Sequence, residues 1–148
     1  MPPLKRILLA EDSPQDVEMT LAAMEEYHLA NEVVVVSNGA EALDYLYGRG
    51  KFANHANGTP VVVLLDLKMP KVDGLEVLRQ LKNDPELRRI PVVMMTSSRE
   101  EQDLVRSYDL GVNAYVVKPV DFQQFVEAVQ QLGLYWLVLN ERAPQHRG

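Results

Sequence analysis

Five residues that could do chemistry together stand at the ends of apolar runs. Glu11-Asp12 follow Ile7–Ala10, Asp66 follows Val61–Leu65, Thr96 follows Val92–Met95, and Lys118-Pro119 follow Ala114–Val117. An unpaired ionised carboxylate is costly away from water, so Asp66 is either a turn residue or a group held at the lip of a sheet. Three carboxylates brought close together repel, and one of them protonates unless a cation arrives. All-oxygen ligands favour a hard ion, and Mg²⁺ uses one or two carboxylates while keeping several waters. The formal charges of Glu11, Asp12, Asp66, Lys118 and a dication sum to zero, so a phosphoryl group could approach without facing a negative site. A carboxylate can attack phosphorus to form an aspartyl phosphate. The metal and the lysine would then balance charge on the moving oxygens.

For these residues to meet, the runs that carry them must be strands of one sheet. The four runs, with Val33–Val36, are short, rich in β-branched residues and nearly continuous rather than alternating. That is the pattern of parallel strands covered on both faces. Between them lie helical spacings: Val17, Leu21 and Met24; Val77, Leu78 and Leu81; Leu104 and Tyr108; Phe122, Phe125, Val126 and Val129. The order is β-α repeated five times, and right-handed crossovers make it a doubly wound α/β parallel sheet with helices on both sides. Ligands in such a sheet bind beyond the carboxyl ends of the strands, where the five residues stand. One connection, "GRGKFANHANGTP" at 48–60, is long for this fold class and reads as a surface insertion or a partner-contacting loop.

Composition narrows the classes. The length of 148 residues suits one domain, and 47% hydrophobic residues can build a core. A net charge of -6 argues against binding nucleic acid through its phosphates. The basic group Arg79, Lys82, Arg88 and Arg89 reads as a solvated face. The absence of cysteine excludes disulfides and thiolate metal sites, and His28, His55 and His146 are too scattered for a metal cluster. No apolar stretch suits a secretory signal or a membrane span, so a soluble, cytoplasmic protein is expected.

Each piece also has a plainer reading. Asp12 or Ser13 before Pro14 reads as a helix cap, and Thr96-Ser97-Ser98 reads as another. Asp73-Gly74 reads as a turn, and Lys118-Pro119 as a strand end. The joint occurrence, one piece per strand end, carries the specificity.

The segments "ILLAEDSPQD" (7–16), "VLLDLKMPKVDG" (63–74), "VVMMTSS" (92–98) and "AYVVKPVD" (114–121) resemble the receiver domain of two-component response regulators. The resemblance runs from about residue 4 to 132 of a single domain spanning 1–148, with 133–148 as a C-terminal helix extension and tail. It implies a flavodoxin-like (βα)₅ fold with strand order 2-1-3-4-5. It also implies a Mg²⁺-dependent switch that takes a phosphoryl group from a phosphohistidine on a sensor histidine kinase. Asp66 would be the phosphoacceptor; Asp12 would bind Mg²⁺ directly, Glu11 through a water, and the backbone carbonyl of Lys68 would add a ligand. The family carries either two Asp or Glu-Asp at the first strand, so Glu11 is an allowed variant. Thr96 would hydrogen-bond the phosphoryl group, Lys118 would pair with it, and Tyr115 would be the aromatic switch that turns inward. The Lys118–Pro119 bond would be cis. Apart from Mg²⁺-dependent self-phosphorylation and slow autodephosphorylation, no enzyme activity is implied.

The loop at 48–60 and the tail "LGLYWLVLNERAP" (132–144) resemble single-domain regulators paired with bacterial phytochrome-like kinases. No DNA-binding segment follows, so output is expected through a partner protein or a phosphorelay. Leu134 to Leu139 are six consecutive apolar or aromatic residues, of which a helix on one sheet buries only a stripe. The remainder is expected to form a homodimer interface around Tyr135, Trp136 and Leu137. Two other classes compete. An Asp-nucleophile phosphohydrolase needs a second acid, commonly in Asp-x-Asp, but Lys68 stands at that position. A phosphorylation-independent adaptor or dimerisation module would need none of Glu11, Asp12, Asp66, Thr96 and Lys118.

Overall fold

A parallel sheet carries the chain's chemistry to one edge. Strands β1 (Arg6–Ala10), β2 (Glu32–Val36), β3 (Val62–Asp66), β4 (Val92–Thr96) and β5 (Ala114–Val117) run in the order β2-β1-β3-β4-β5. The computed structural model describes residues 6–25, 32–53, 59–98, 101, 105, 111–112, 114–119 and 121–131. Among these are the helices α1 (Pro14–Glu25), α2 (Gly39–Tyr47), α3 (Gly74–Asn83) and α4 (Phe122–Gln131), with a 3₁₀ turn at Gly50–Phe52. The (βα) order and the strand order are those expected. Leu104, Tyr108 and the tail with Tyr135, Trp136 and Leu137 lie outside the described residues, as do the three histidines.

Side chains alternate across each strand, so each of the three central strands feeds two cores. Leu8, Val63, Leu65 and Met94 pack with Leu43 of α2 and Leu78 of α3 on one face. Ile7, Leu9, Leu64 and Met95 pack with Met24 of α1 and Phe125 of α4 on the other. This is why β1, β3 and β4 read as unbroken apolar runs. The edge strands reach both cores but are covered less completely than the central ones. In β2 only Val36 is buried and Val35 is 40% exposed; in β5 Val117 is 38% exposed. Each edge strand pairs with another on one side only.

The helical spacings read from the sequence omit α2, whose core face is Ala42, Leu43 and Tyr45. Its start is explicit: Asn38 Oδ1 accepts from Glu41 N at 2.9 Å, while Glu41 Oε1 accepts from Ser37 N at 2.8 Å. It ends at Gly48 with φ 65°, a left-handed cap that glycine adopts without strain. The irregular 48–60 connection is thus partly structured. Gly48 closes α2, and Phe52 meets the Tyr45 ring edge-on at 5.1 Å. Residues 54–58 lie outside the described set. Of the basic group, Arg79, Arg88 and Arg89 are exposed, as expected, and Lys82 is half-buried. Lys82 Nζ donates to the carbonyls of Arg88 and Ile90, at 3.2 and 3.3 Å, and burial lowers its pKa. No described helix is long and apolar enough to cross a membrane.

Candidate functional site

Parallel pairing aligns the strand ends, and local capping decides which end residues remain free. After β1, Ser13 rather than Asp12 caps α1: its Oγ accepts from Asp16 N at 3.2 Å, and Pro14 opens the helix. Asp12 is exposed and free of that duty. After β4, Ser98 Oγ accepts from Glu101 N at 3.2 Å and Glu101 Oε1 accepts from Ser97 N at 2.8 Å. The capping reading of Thr96-Ser97-Ser98 therefore holds for the serines and leaves Thr96 out. Thr96 Oγ1 is fully buried without a hydrogen-bond partner. A buried hydroxyl normally finds a partner, and none is present for this one among the described residues.

After β3, the chain turns through Lys71, at φ 68°, closed by Val72 N donating to Pro70 O at 2.8 Å. Asp73 caps α3 by accepting from Glu76 N at 3.0 Å. Gly74 lies flat on the chain leaving β3: a Cβ there would stand 2.3 Å from the Asp66 carbonyl oxygen. Only glycine permits that approach, so Asp73-Gly74 is more than a turn.

The carboxylates of Glu11, Asp12 and Asp66 offer oxygens all within 4.8 Å of one another. Lys118 Nζ lies 3.1 Å from Glu11 Oε1, 3.1 Å from Asp16 Oδ2 and 3.2 Å from Asp66 Oδ1. Its backbone N–H donates to Thr96 O at 2.7 Å, and the Lys118–Pro119 peptide is cis. Glu11 and Asp66 are buried. Burial, then repulsion from Glu11, raise the Asp66 carboxyl to about 7 against the pull of Lys118. Burial disfavours the Lys118 ammonium, but Asp16, Asp66 and Glu11 outweigh it and raise its pKa. The two shifts do not mirror each other because one ammonium is shared among three carboxylates.

Asp16 is the residue the strand-end reading misses. It stands in the first turn of α1, where an acid is ordinary, and only the fold brings it to Lys118. Counting it, four carboxylates face one ammonium, so a dication would leave the cluster with a net negative charge rather than neutral. The donor set fits a hard divalent ion: it is all oxygen, crowded and short of positive charge. Lys68 turns its side chain away to pair with Glu101 at 2.9 Å, linking the segments that leave β3 and β4. Tyr115 pairs with Met94 across β4 and β5 and is half-buried against the α2–α3 core.

Residues 7–130 match the response regulator receiver domain family. The chain belongs to that family. It is 64% identical to the bacteriophytochrome response regulator AtBRR, with a TM-score of 0.89 over 95% of this chain and 100% of that one. The response regulator Rcp1 of Synechocystis sp. is 37% identical over 135 residues, which cover 91% of this receiver and 90% of Rcp1. The structure of its Mn²⁺-bound form has a TM-score of 0.72 over 94% of this chain and 97% of that one. The phosphorylated cyanobacterial phytochrome response regulator RcpA is 41% identical, with a TM-score of 0.72 over 91% of this chain and 95% of its own.

Proposed function

We propose that this receiver accepts a phosphoryl group at Asp66 from a phosphohistidine of a sensor histidine kinase, phytochrome-like as for its relatives. The observation that carries the reading is the surroundings of Asp66. A buried carboxylate ends a central strand with the Lys118 ammonium 3.2 Å away, two further carboxylates beside it and an orphaned threonine hydroxyl on the next strand. Glu11, Asp12, Asp66 and the Lys68 backbone carbonyl would hold Mg²⁺, which when bound supplies positive charge to the carboxylates and the incoming phosphoryl oxygens. Asp66 Oδ forms the new bond to phosphorus as the histidine N–P bond breaks, and the electron pair returns to the imidazole nitrogen. Lys118 pairs with the negative oxygens of the product, and Thr96 donates its unpartnered hydroxyl to one of them. Movement of Thr96 draws Tyr115 inward and shifts a two-state equilibrium. The phosphorylated RcpA and the Mn²⁺-bound Rcp1 support both halves of this reading.

Residues 1–148 act as a single cytoplasmic receiver domain with a core of about 4–132; the extension at 133–148 lies outside the described residues. Tyr135, Trp136 and Leu137 form its homodimer interface, and output passes to a downstream protein or phosphotransfer partner. Intact mass spectrometry after incubation with Mg²⁺ and acetyl phosphate tests the chemistry, with Asp66→Asn in parallel. One added phosphoryl group that requires Mg²⁺ and is absent from Asp66→Asn is expected. No adduct, together with no binding of beryllofluoride, would refute the reading.

A further inference from the structure

β5 ends the sheet, so backbone N–H groups along it alternate between β4 and an open edge. The Lys118 N–H faces inward, to Thr96 O. The Val117 N–H before it faces outward, where no described strand pairs with it. A side chain takes that donor. Gln124 Oε1 accepts from Val117 N at 3.1 Å, and Gln124 Nε2 donates to Pro119 O at 3.2 Å. One amide thereby grips the backbone on both sides of Lys118. The amide stands on a fixed base, because Gln124 N donates to Asp121 Oδ1 at 2.8 Å in the first turn of α4.

The geometry points to Gln124 as a positioning residue for Lys118: its amide clamps the Val117–Pro119 backbone and so sets where the ammonium stands against Asp66. The inference rests on phosphoryl chemistry at Asp66 and adds a residue to it that touches none of the reacting atoms. Such a clamp has a physical use. The ammonium rides on a flexible four-carbon stem from an edge strand. Its three contacts, at 3.1, 3.1 and 3.2 Å, leave little room for drift. A misplacement of about 1 Å in a charged catalytic group costs roughly a hundredfold, so partial release of the backbone should cost about tenfold. Thr96 O still holds Lys118 from the inner side, which keeps the loss partial. Gln124 meets both the Val117 donor and the Pro119 acceptor because a primary amide carries both functions on one plane.

The test is a double-mutant cycle on the full chain, with the rate of phosphoryl incorporation from acetyl phosphate in Mg²⁺ read by intact mass. Gln124→Ala should slow wild type about tenfold but change Lys118→Met by less than about twofold, because the clamp acts only through that ammonium. A residue that merely stabilised α4 would lower the rate by the same factor in both backgrounds, and that result would overturn the inference. So would a Gln124→Ala rate within about twofold of wild type. Should Gln124→Ala fail to fold, Gln124→Glu carries the same cycle. It keeps an acceptor for Val117 N–H and loses the donor to Pro119 O. If wild type takes up no phosphoryl group, the proposed function fails and this inference fails with it. A normal wild type with an unaffected Gln124 variant refutes the inference alone.

Discussion

Replacing Asp66 by Asn should stabilise the metal-free protein, and increasingly so as pH rises. Burial and the Glu11 carboxylate raise the Asp66 carboxyl from the ordinary 3.8 to about 7. An acid whose pKa is higher in the folded than in the unfolded chain keeps its proton longer when folded. Stability therefore falls as pH rises through the window between the two values, from about 4 to about 7. Each unit is worth about 1.4 kcal/mol, so the raised pKa costs about 4 kcal/mol near pH 8, where the folded carboxyl is ionised, and about 2 kcal/mol near pH 5, where folding holds it protonated. Asn keeps the shape and drops the charge, while Lys118 keeps Glu11 and Asp16 as partners. The variant should melt about 10 °C above wild type near pH 8 in the presence of a chelator. The gap should shrink by about half near pH 5, and Mg²⁺ should narrow it at high pH by stabilising wild type. Circular-dichroism melts across this pH range, with and without Mg²⁺, read all of these. An Asn variant that melts at or below wild type near pH 8 without divalent ions would refute the reasoning, because the buried charge would then carry no penalty.

Three further outcomes follow from the same geometry. Thr96→Val removes a buried hydroxyl that has no partner. Metal-free stability should hold or rise by about 1 kcal/mol, while the thermal shift produced by Mg²⁺ and beryllofluoride should fall; an undiminished shift would remove Thr96 from the site. Gly74→Ala would set a Cβ 2.3 Å from the Asp66 carbonyl oxygen and should cost about 1–3 kcal/mol of stability, read as a lower urea midpoint. An unchanged midpoint would mean that the turn after β3 yields without cost. Trp136→Ala with Leu137→Ala should shift sedimentation toward monomer, and an unchanged species would end the dimer proposal.

The strands were legible because a parallel strand buried on both faces writes its burial into consecutive residues. Val62–Asp66 and Val92–Thr96 are buried at every position. The edges were not legible in the same runs. "VVVV" in β2 has a central strand's composition, but only the strand order makes it an edge. Helix α2 was less visible than its neighbours, because its buried face rests on Ala42, Leu43 and Tyr45 within nine residues, too short a run to repeat the helical spacing clearly. Asp12 and Thr96 each stood beside serines able to cap the following helix. The sequence could not say which residue would cap, since either side chain reaches the first turn. The structure gives both duties to the serines, Ser13 and Ser98.

What the sequence determined by itself was the kind of residue at each strand end: carboxylates after the first and third runs, a hydroxyl after the fourth and an ammonium after the fifth. Those types follow from local pattern, and the order of runs forces a parallel sheet that brings the ends to one rim. What only the tertiary structure decided was how strongly they interact. Asp16 joins Lys118 from a helix, Gln124 grips the chain around it, and Thr96 is left without a partner. The raising of Asp66 to about 7 belongs to the same class. Coulombic and desolvation energies depend on distances of a few ångströms and on the depth of burial. Lys118 and Glu11 are 107 positions apart in the chain, and their 3.1 Å contact exists only once the sheet has closed.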